Sequence, residues 1–124
     1  MRMSFGLRRV APALLTCSLA LAPRAADAHA IVIASKPTVD AVVAGPAVPI
    51  ELRFNSRIDQ ARSRLLLVSP DGSAATLPLA PPSSPDLMTT QATGLGPGTY
   101  RLRWQVLSVD GHITRGDIPF KVGE

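Results

Sequence analysis

Tyr100-Arg101-Leu102-Arg103-Trp104-Gln105-Val106 is the stretch that decides the fold, because its apolar and polar residues alternate strictly. In an extended segment, side chains two apart share a face, so Tyr, Leu, Trp and Val would line one face and Arg and Gln the other. This is the pattern of a half-buried β-strand. Residues 118–122 alternate in the same way and are the expected partner strand.

Weaker strand patterns occur earlier in the chain. They cover residues 31–34, 50–55, 65–68, 73–79 and 86–91. The turn Ser69-Pro70-Asp71-Gly72 predicts that residues 73–79 fold back as the second arm of a hairpin. Prolines and glycines predict a loop over residues 37–49, and Pro119 predicts an edge position or a bulge in the last strand. No helical period of useful length is present. The chain is therefore predicted to be all-β, a small sandwich or barrel.

The first 28 residues are predicted to be a secretory signal peptide, and residues 29–124 the exported domain. Basic residues precede an apolar run over residues 10–22, and Ala26-Asp27-Ala28 fits the small-x-small rule for cleavage. The apolar run is too short for a transmembrane helix and no second one follows, so we expect the exported protein to be soluble. A monomer is expected.

Three variants of this interpretation remain open. Arg8-Arg9 offers a poor match to a twin-arginine export signal, and Cys17 a poor match to a lipoprotein site. Cleavage after Ala30 instead of Ala28 would remove His29. Cys17 is the sole cysteine, so the predicted exported domain has neither disulfides nor thiolate ligands.

The charge balance gives no basis for a nucleic-acid partner. The whole chain carries +4, but residues 29–124 hold nine Lys and Arg against eight Asp and Glu. The arginines are interleaved with acids along the sequence rather than clustered. Arg101, Arg103 and Arg115 are expected to form a solvated face.

The connection between the two best strands contains Asp110-Gly111-His112, and the other histidine of the chain is His29. Cleavage after Ala28 would give His29 a free amine beside its ring, so one residue would offer two nitrogen ligands. Asp110 and His112 point the same way when extended and would add an oxygen and a third nitrogen. This donor set suits Cu(II), with zinc as the competitor. Asp117 is a reserve ligand.

The same residues resemble the CopC periplasmic copper-binding proteins, including the YobA-like branch. The similarity runs from His29-Ala30 through Leu52-Arg53-Phe54-Asn55 and is strongest from Leu95 to Tyr100 and across Ser108-Val109-Asp110-Gly111-His112. It implies a Greek-key β-sandwich, cupredoxin-like or immunoglobulin-like, that holds one Cu(II) through His29, Asp110 and His112. It also implies a non-enzymatic copper carrier or buffer in copper homeostasis or resistance, with a CopD-like inner-membrane partner.

Two other functions remain as alternatives. An N-terminal histidine with a second histidine is also the copper site of lytic polysaccharide monooxygenases, although aromatic residues for a sugar surface are few and Asp110 would occupy a position that an oxidase keeps open. Cleavage after Ala30 would instead favour a metal-free structural module. Some CopC proteins carry a methionine-rich Cu(I) loop, but only Met88 remains after residue 28, so a Cu(II)-only member is expected, with Met88 as a packing residue.

Overall fold

The computed structural model of the chain describes residues 29–124 and, before them, only Met3, Gly6, Pro12 and Ala13. The predicted signal peptide therefore lies almost wholly outside the described residues. The part that is described contains no helix long and apolar enough to cross a membrane. It forms eight strands: β1 (Val32–Lys36), β2 (Ala41–Ala44), β3 (Val48–Phe54), β4 (Ile58–Val68), β5 (Ala74–Thr76), β6 (Leu87–Ala92), β7 (Gly98–Ser108) and β8 (Ile113–Gly123).

The strands form two sheets, which confirms the all-β prediction. One sheet has three strands in the order β1-β3-β6, and the other has five in the order β2-β8-β7-β4-β5. The predicted pair of strands, β7 and β8, lies inside the larger sheet and pairs antiparallel without a register shift from Gly98↔Val122 to Leu107↔Ile113. The predicted hairpin arm is β5, which pairs with the end of β4.

The core consists of the inward-facing residues of these alternating strands. Trp104 and Phe54 contact edge to face across it, with ring centroids 5.5 Å apart. Met88 is completely buried, as expected of a packing residue. The largest fully buried side chains are Phe54, Phe120, Ile50, Leu52, Leu65, Met88, Leu102, Val48, Val106 and Val122. The buried residues of the two sheets form one continuous core, which lies within residues 30–122.

One local prediction was wrong, and β4 begins earlier than the predicted strand over residues 65–68. Residues 41–44, expected in a loop, form β2, because they pair in parallel with the end of β8. Residues 58–64 lack a clear period because β4 changes register with β7 between Asp59 and Arg64. Such an irregularity interrupts the alternation that sequence patterns detect.

Pro119 was predicted to have an edge position or a bulge, and β8 has no bulge there: on the side facing β2, strand pairing starts only at Phe120. The carbonyl oxygen of Pro119 accepts a hydrogen bond from the backbone N–H of Asp40, 2.7 Å away, just before β2 begins. The nitrogen and carbonyl of one strand residue point to the same side, so the proline nitrogen faces this side and not β7. The missing N–H of Pro119 therefore costs the β7–β8 ladder no hydrogen bond. On its other side, β8 pairs with β2 only from Phe120 onwards.

Candidate metal centre

The connection between β7 and β8 is a tight turn closed by backbone hydrogen bonds. The N–H of Ser108 donates to the carbonyl of His112 at 2.9 Å, and the N–H of Gly111 donates to the carbonyl of Ser108 at 3.0 Å. Gly111 has φ of 90°, a conformation that a residue with a Cβ rarely adopts. The glycine therefore allows Asp110 and His112 to flank one sharp reversal of the chain.

Ser108 and His112 fix the carboxylate of Asp110 in place. Ser108 is only 2 % exposed, and its hydroxyl hydrogen-bonds one carboxylate oxygen. The other oxygen lies 2.9 Å from Nδ1 of His112. These hydrogen bonds favour the charged carboxylate and lower the pKa of Asp110 to about 2. Asp110 is therefore an anion at every physiological pH. Because Nδ1 of His112 is bonded to Asp110, Nε2 is the ring nitrogen of His112 that would bind a metal ion.

His29 lies against this turn although it is 83 positions from His112 in sequence. The two imidazole rings have centroids 4.8 Å apart and are tilted by 41°. The structure thus brings together His29 and His112, and it joins His112 to Asp110. All three side chains lie at one end of the larger sheet, and His112 is exposed to solvent.

The segment that carries His29 is attached to the fold at consecutive residues. Ala30 is completely buried, and its carbonyl oxygen accepts a hydrogen bond of 2.6 Å from the hydroxyl of Thr114 in β8. The N–H of Ile31 donates to the side-chain oxygen of Asn55 at 2.9 Å, and the N–H of Asn55 donates back to the carbonyl of Ile31 at 3.0 Å. These bonds hold the backbone immediately after His29.

Sequence reasoning missed Ser108, Thr114 and Asn55 as supports of this group. Ser108 and Asn55 were noticed only as parts of quoted motifs, and Thr114 showed no signal. The contacts of Thr114 with Ala30 and of Asn55 with Ile31 join segments that are distant in sequence, so no local pattern contains them, whereas Ser108 contacts its near neighbours Asp110 and His112.

The side chains of His29, Asp110 and His112 offer the nitrogen and oxygen donors of a metal site, but their geometry is not yet that of a bound ion. Within residues 29–124, no three His, Cys, Asp or Glu side chains already have the spacing needed to enclose an ion. Asp110 and His112 instead use one oxygen and one ring nitrogen to bind each other. Two imidazoles and an ionised carboxylate nevertheless match the donor types that Cu(II) and zinc prefer, so the residues present fit such an ion.

Asp117, the expected reserve ligand, is not part of this group. Its carboxylate lies 3.1 Å from Nε of Arg103 and 3.6 Å from a nitrogen of Arg101. It is five residues along β8 from His112, which is roughly 16 Å in an extended strand. The structure therefore corrects that expectation.

Comparison with known proteins agrees with this architecture. The family model described as the CopC domain matches residues 32–123. The chain belongs to the CopC family. Copper resistance protein C of Xanthomonas campestris pv. juglandis is 31% identical over 126 residues, covering 95% of this chain and 98% of that protein. Protein YobA of Escherichia coli K12 is 34% identical over 117 residues, covering 92% and 93% of the two chains.

The crystal structure of CopC from Methylosinus trichosporium OB3b has the same fold. It superposes with a TM-score of 0.68 at 27% identity and covers 76% of this chain and 93% of that one. The resemblance to CopC proteins expected from the sequence is thus confirmed, and membership of the family supports a copper-binding role for this chain.

Proposed function

We propose that this CopC-family chain is a periplasmic carrier or buffer that binds one Cu(II) through His29, Asp110 and His112. The observation that carries the proposal is the 4.8 Å approach of the His29 and His112 rings. It occurs at a turn whose carboxylate is already ionised. Two imidazoles from opposite ends of the sequence therefore lie close together, and a carboxylate is bonded to one of them, which supports these three residues as the ligands of one ion.

The proposal includes removal of residues 1–28 during export. Cleavage after Ala28 would give His29 a free amine, which adds a second nitrogen donor on the same residue. The hydrogen bonds to Ala30 and Ile31 support this role, because a terminal ligand must be held within a residue or two to avoid fraying. An anchored terminus loses less entropy when it binds an ion.

The state of each donor favours loading at neutral pH and release in acid. Asp110 needs no deprotonation, because its pKa is about 2. A terminal amine and imidazoles have reference pKa values of about 8 and about 6.5, so they must lose protons to bind a metal ion. Copper affinity should consequently fall as the pH drops below neutrality.

The exposure of the site suits exchange of copper with a partner rather than its permanent retention. The side chain of His112 is 59% exposed and that of Asp110 is 30% exposed. A partner could approach these ligands without unfolding the chain. We propose that the recipient or donor is a CopD-like inner-membrane protein, and that the chain serves copper homeostasis or resistance without catalysing a reaction.

The decisive experiment compares two proteins, one that begins at His29 and one with a single glycine placed before it. Each is titrated with Cu(II) against a competing chelator and then examined by electron paramagnetic resonance. We expect one tightly held Cu(II) with a nitrogen-rich tetragonal spectrum only when His29 is first. Zn(II) is titrated in parallel to test the choice of metal. Equal binding by both proteins would show that the terminal amine is not a ligand.

The side-chain ligands are tested by Asp110→Asn and His112→Gln in the protein that begins at His29. Each should weaken Cu(II) binding and change the spectrum, while far-UV circular dichroism stays that of a folded β-protein. Sequencing the N-terminus of protein exported from cells tests the cleavage site directly. A start at Ile31 would remove His29 and refute the proposed site.

A further inference from the structure

The outer face of the five-stranded sheet carries the arginines that were expected to form a solvated face, and Arg64 joins them there. Arg64 of β4, Arg101 and Arg103 of β7, and Arg115 of β8 all project from this face and are exposed. Residues 64–68 of β4 pair with residues 101–105 of β7, which pair in turn with residues 115–119 of β8. Asp117 is the one carboxylate in these three paired stretches. We call this surface, made by the four arginines with Gln105 and Asp117, the arginine face.

Two of these arginines are held by a neutral group. The side-chain oxygen of Gln105 accepts hydrogen bonds from Arg64 at 3.4 Å and from Arg115 at 2.9 Å. In the part of the chain that the structure describes, neither arginine forms an ion pair with a carboxylate. Gln105 thus fixes two guanidinium groups side by side without neutralising them.

The other two arginines share one negative charge. Asp117 pairs with both Arg101 and Arg103, and its hydrogen bonds and charge raise the pKa of Arg103. One carboxylate for two guanidinium groups leaves this half of the face positive as well. Across the face, four positive charges therefore oppose one negative charge.

This face gives a nearly neutral domain an uneven charge distribution. Residues 29–124 contain nine basic and eight acidic residues, so five basic and seven acidic residues lie elsewhere. The arginine face is net positive while the remaining surface is net negative. Such an asymmetry orients a molecule as it approaches a charged partner and accelerates productive encounter.

We propose that the arginine face is a docking surface for an acidic protein surface. Arginine forms paired hydrogen bonds with carboxylates and is enriched at protein interfaces, whereas the flexible lysine is depleted there. The four arginines stand on a regular sheet with half-buried Leu66 and Pro119 between them, and Lys121 follows Pro119 on the same side of β8. One large apolar side chain, Ile113, is 54% exposed on the same side of β8 two residues before Arg115, so the experiment also includes a lipid probe.

The position of the face suits a partner that exchanges copper, a point that rests on the proposed function. Arg115 is three residues from His112, which is about 10 Å along an extended strand. A protein docked on the arginine face would consequently border the candidate metal centre. Docking itself does not require copper to be bound.

The experiment uses protein that begins at His29, with poly-L-glutamate as the acidic polypeptide probe. Binding is followed by amide chemical shifts in NMR, at two or more salt concentrations. Shifts should concentrate on β4, β7 and β8 and diminish with salt. The double variant Arg64→Glu/Arg115→Glu should bind the probe at least roughly tenfold more weakly. The matched control Lys36→Glu/Arg57→Glu makes the same change in net charge away from the face and should bind within about twofold of the unaltered protein.

Three results would overturn the proposal. An equal loss in the control variant would mean that only net charge matters. Binding to vesicles of phosphatidylglycerol and phosphatidylethanolamine at about 1:3, without binding to poly-L-glutamate, would assign the face to lipid. Binding to neither probe would leave no docking surface. Cu(II) titration separates this proposal from the proposed function. If Arg64→Glu/Arg115→Glu binds copper normally but no longer binds poly-L-glutamate, the loss concerns the arginine face alone. If the unaltered protein binds poly-L-glutamate but no copper, only the proposed function is refuted.

Discussion

Replacing Thr114 by valine tests whether the anchoring of residue 30 controls the metal site. Valine keeps the shape of threonine but removes the hydroxyl that donates to the carbonyl oxygen of Ala30. Ala30 is completely buried, so water cannot replace that donor without opening the segment. An unsatisfied buried acceptor costs roughly 1–3 kcal/mol. The native position of residues 29–31 should be disfavoured by about that amount.

The same free energy sets the expected loss of copper affinity. If His29 must occupy its anchored position to bind, each tenfold loss of affinity corresponds to about 1.4 kcal/mol. Thr114→Val should therefore weaken Cu(II) binding by up to roughly a hundredfold, the full loss being reached when the free energy of anchoring is smaller than that cost. The assay is chelator competition on protein that begins at His29, with Thr114→Ser as the control that keeps the hydroxyl. Faster hydrogen exchange at the amides of Ile31 and Asn55 should accompany the loss, since these bonds belong to the same attachment.

The reasoning fails if Thr114→Val binds Cu(II) within about twofold of the unaltered protein while the amides of Ile31 and Asn55 have lost their protection from exchange altogether. The anchor would then loosen without affecting the ligand. It also fails if Thr114→Ser is as impaired as Thr114→Val, because the hydroxyl would not be the cause.

Two further predictions concern packing and titration. Gly116→Ala should destabilise the domain by about 1–3 kcal/mol in urea unfolding, because a Cβ there would lie 2.5 Å from the ring of Trp104, whereas Gly96→Ala meets no atom within 4 Å and should be nearly neutral. The carboxyl of Asp110 should titrate with a pKa of about 2 in carbon-detected NMR of the metal-free protein, and Ser108→Ala should raise that pKa. Because the folded pKa lies below the unfolded one of about 3.9, the stability from Asp110 is present above that value and is lost as the pH falls towards about 2. A normal pKa for Asp110, or an unaltered one in Ser108→Ala, would contradict the described turn.

The sequence was sufficient to predict those strands that have one face in the core and the other in solvent. β7 and β8 were predicted because alternation over seven and five residues has little other explanation, and the hairpin of β4 and β5 because Pro70-Asp71-Gly72 demands a turn. Membership of the CopC family followed from motifs spread along the chain and is confirmed.

The sequence was insufficient where structure depends on a distant strand. β2 contains only four residues and is defined by pairing with β8, about 80 positions away. The contact of Thr114 with Ala30 has the same origin. A propensity pattern records how a residue behaves beside its neighbours in sequence, and these contacts are decided by which strands become adjacent in the sheet.

The candidate ligands were found from the sequence because cleavage rules and the Asp-x-His spacing are local, and their role in binding Cu(II) remains a prediction. The structure adds the physical reason why such distant residues meet. Ala30 is drawn into the core by complete burial, and Asn55 and Thr114 then fix the backbone beside the β7–β8 turn. Core packing and these backbone bonds therefore fix residues 30 and 31, next to His29, beside the turn.

This arrangement separates two demands that a copper carrier must meet. Selective retention requires ligands that are held in place. The hydrogen bonds of residues 30 and 31 hold the backbone next to His29 without using any of the candidate ligand atoms. Exchange requires ligands that another protein can reach, and the turn that holds Asp110 and His112 is open to solvent. Since the arginine face begins three residues beyond His112 on the same strand, an acidic partner could be oriented there without displacing any group that anchors His29. Docking and metal retention would then vary independently, so that reversal of Arg64 and Arg115 should slow transfer to such a partner while leaving equilibrium copper affinity unchanged.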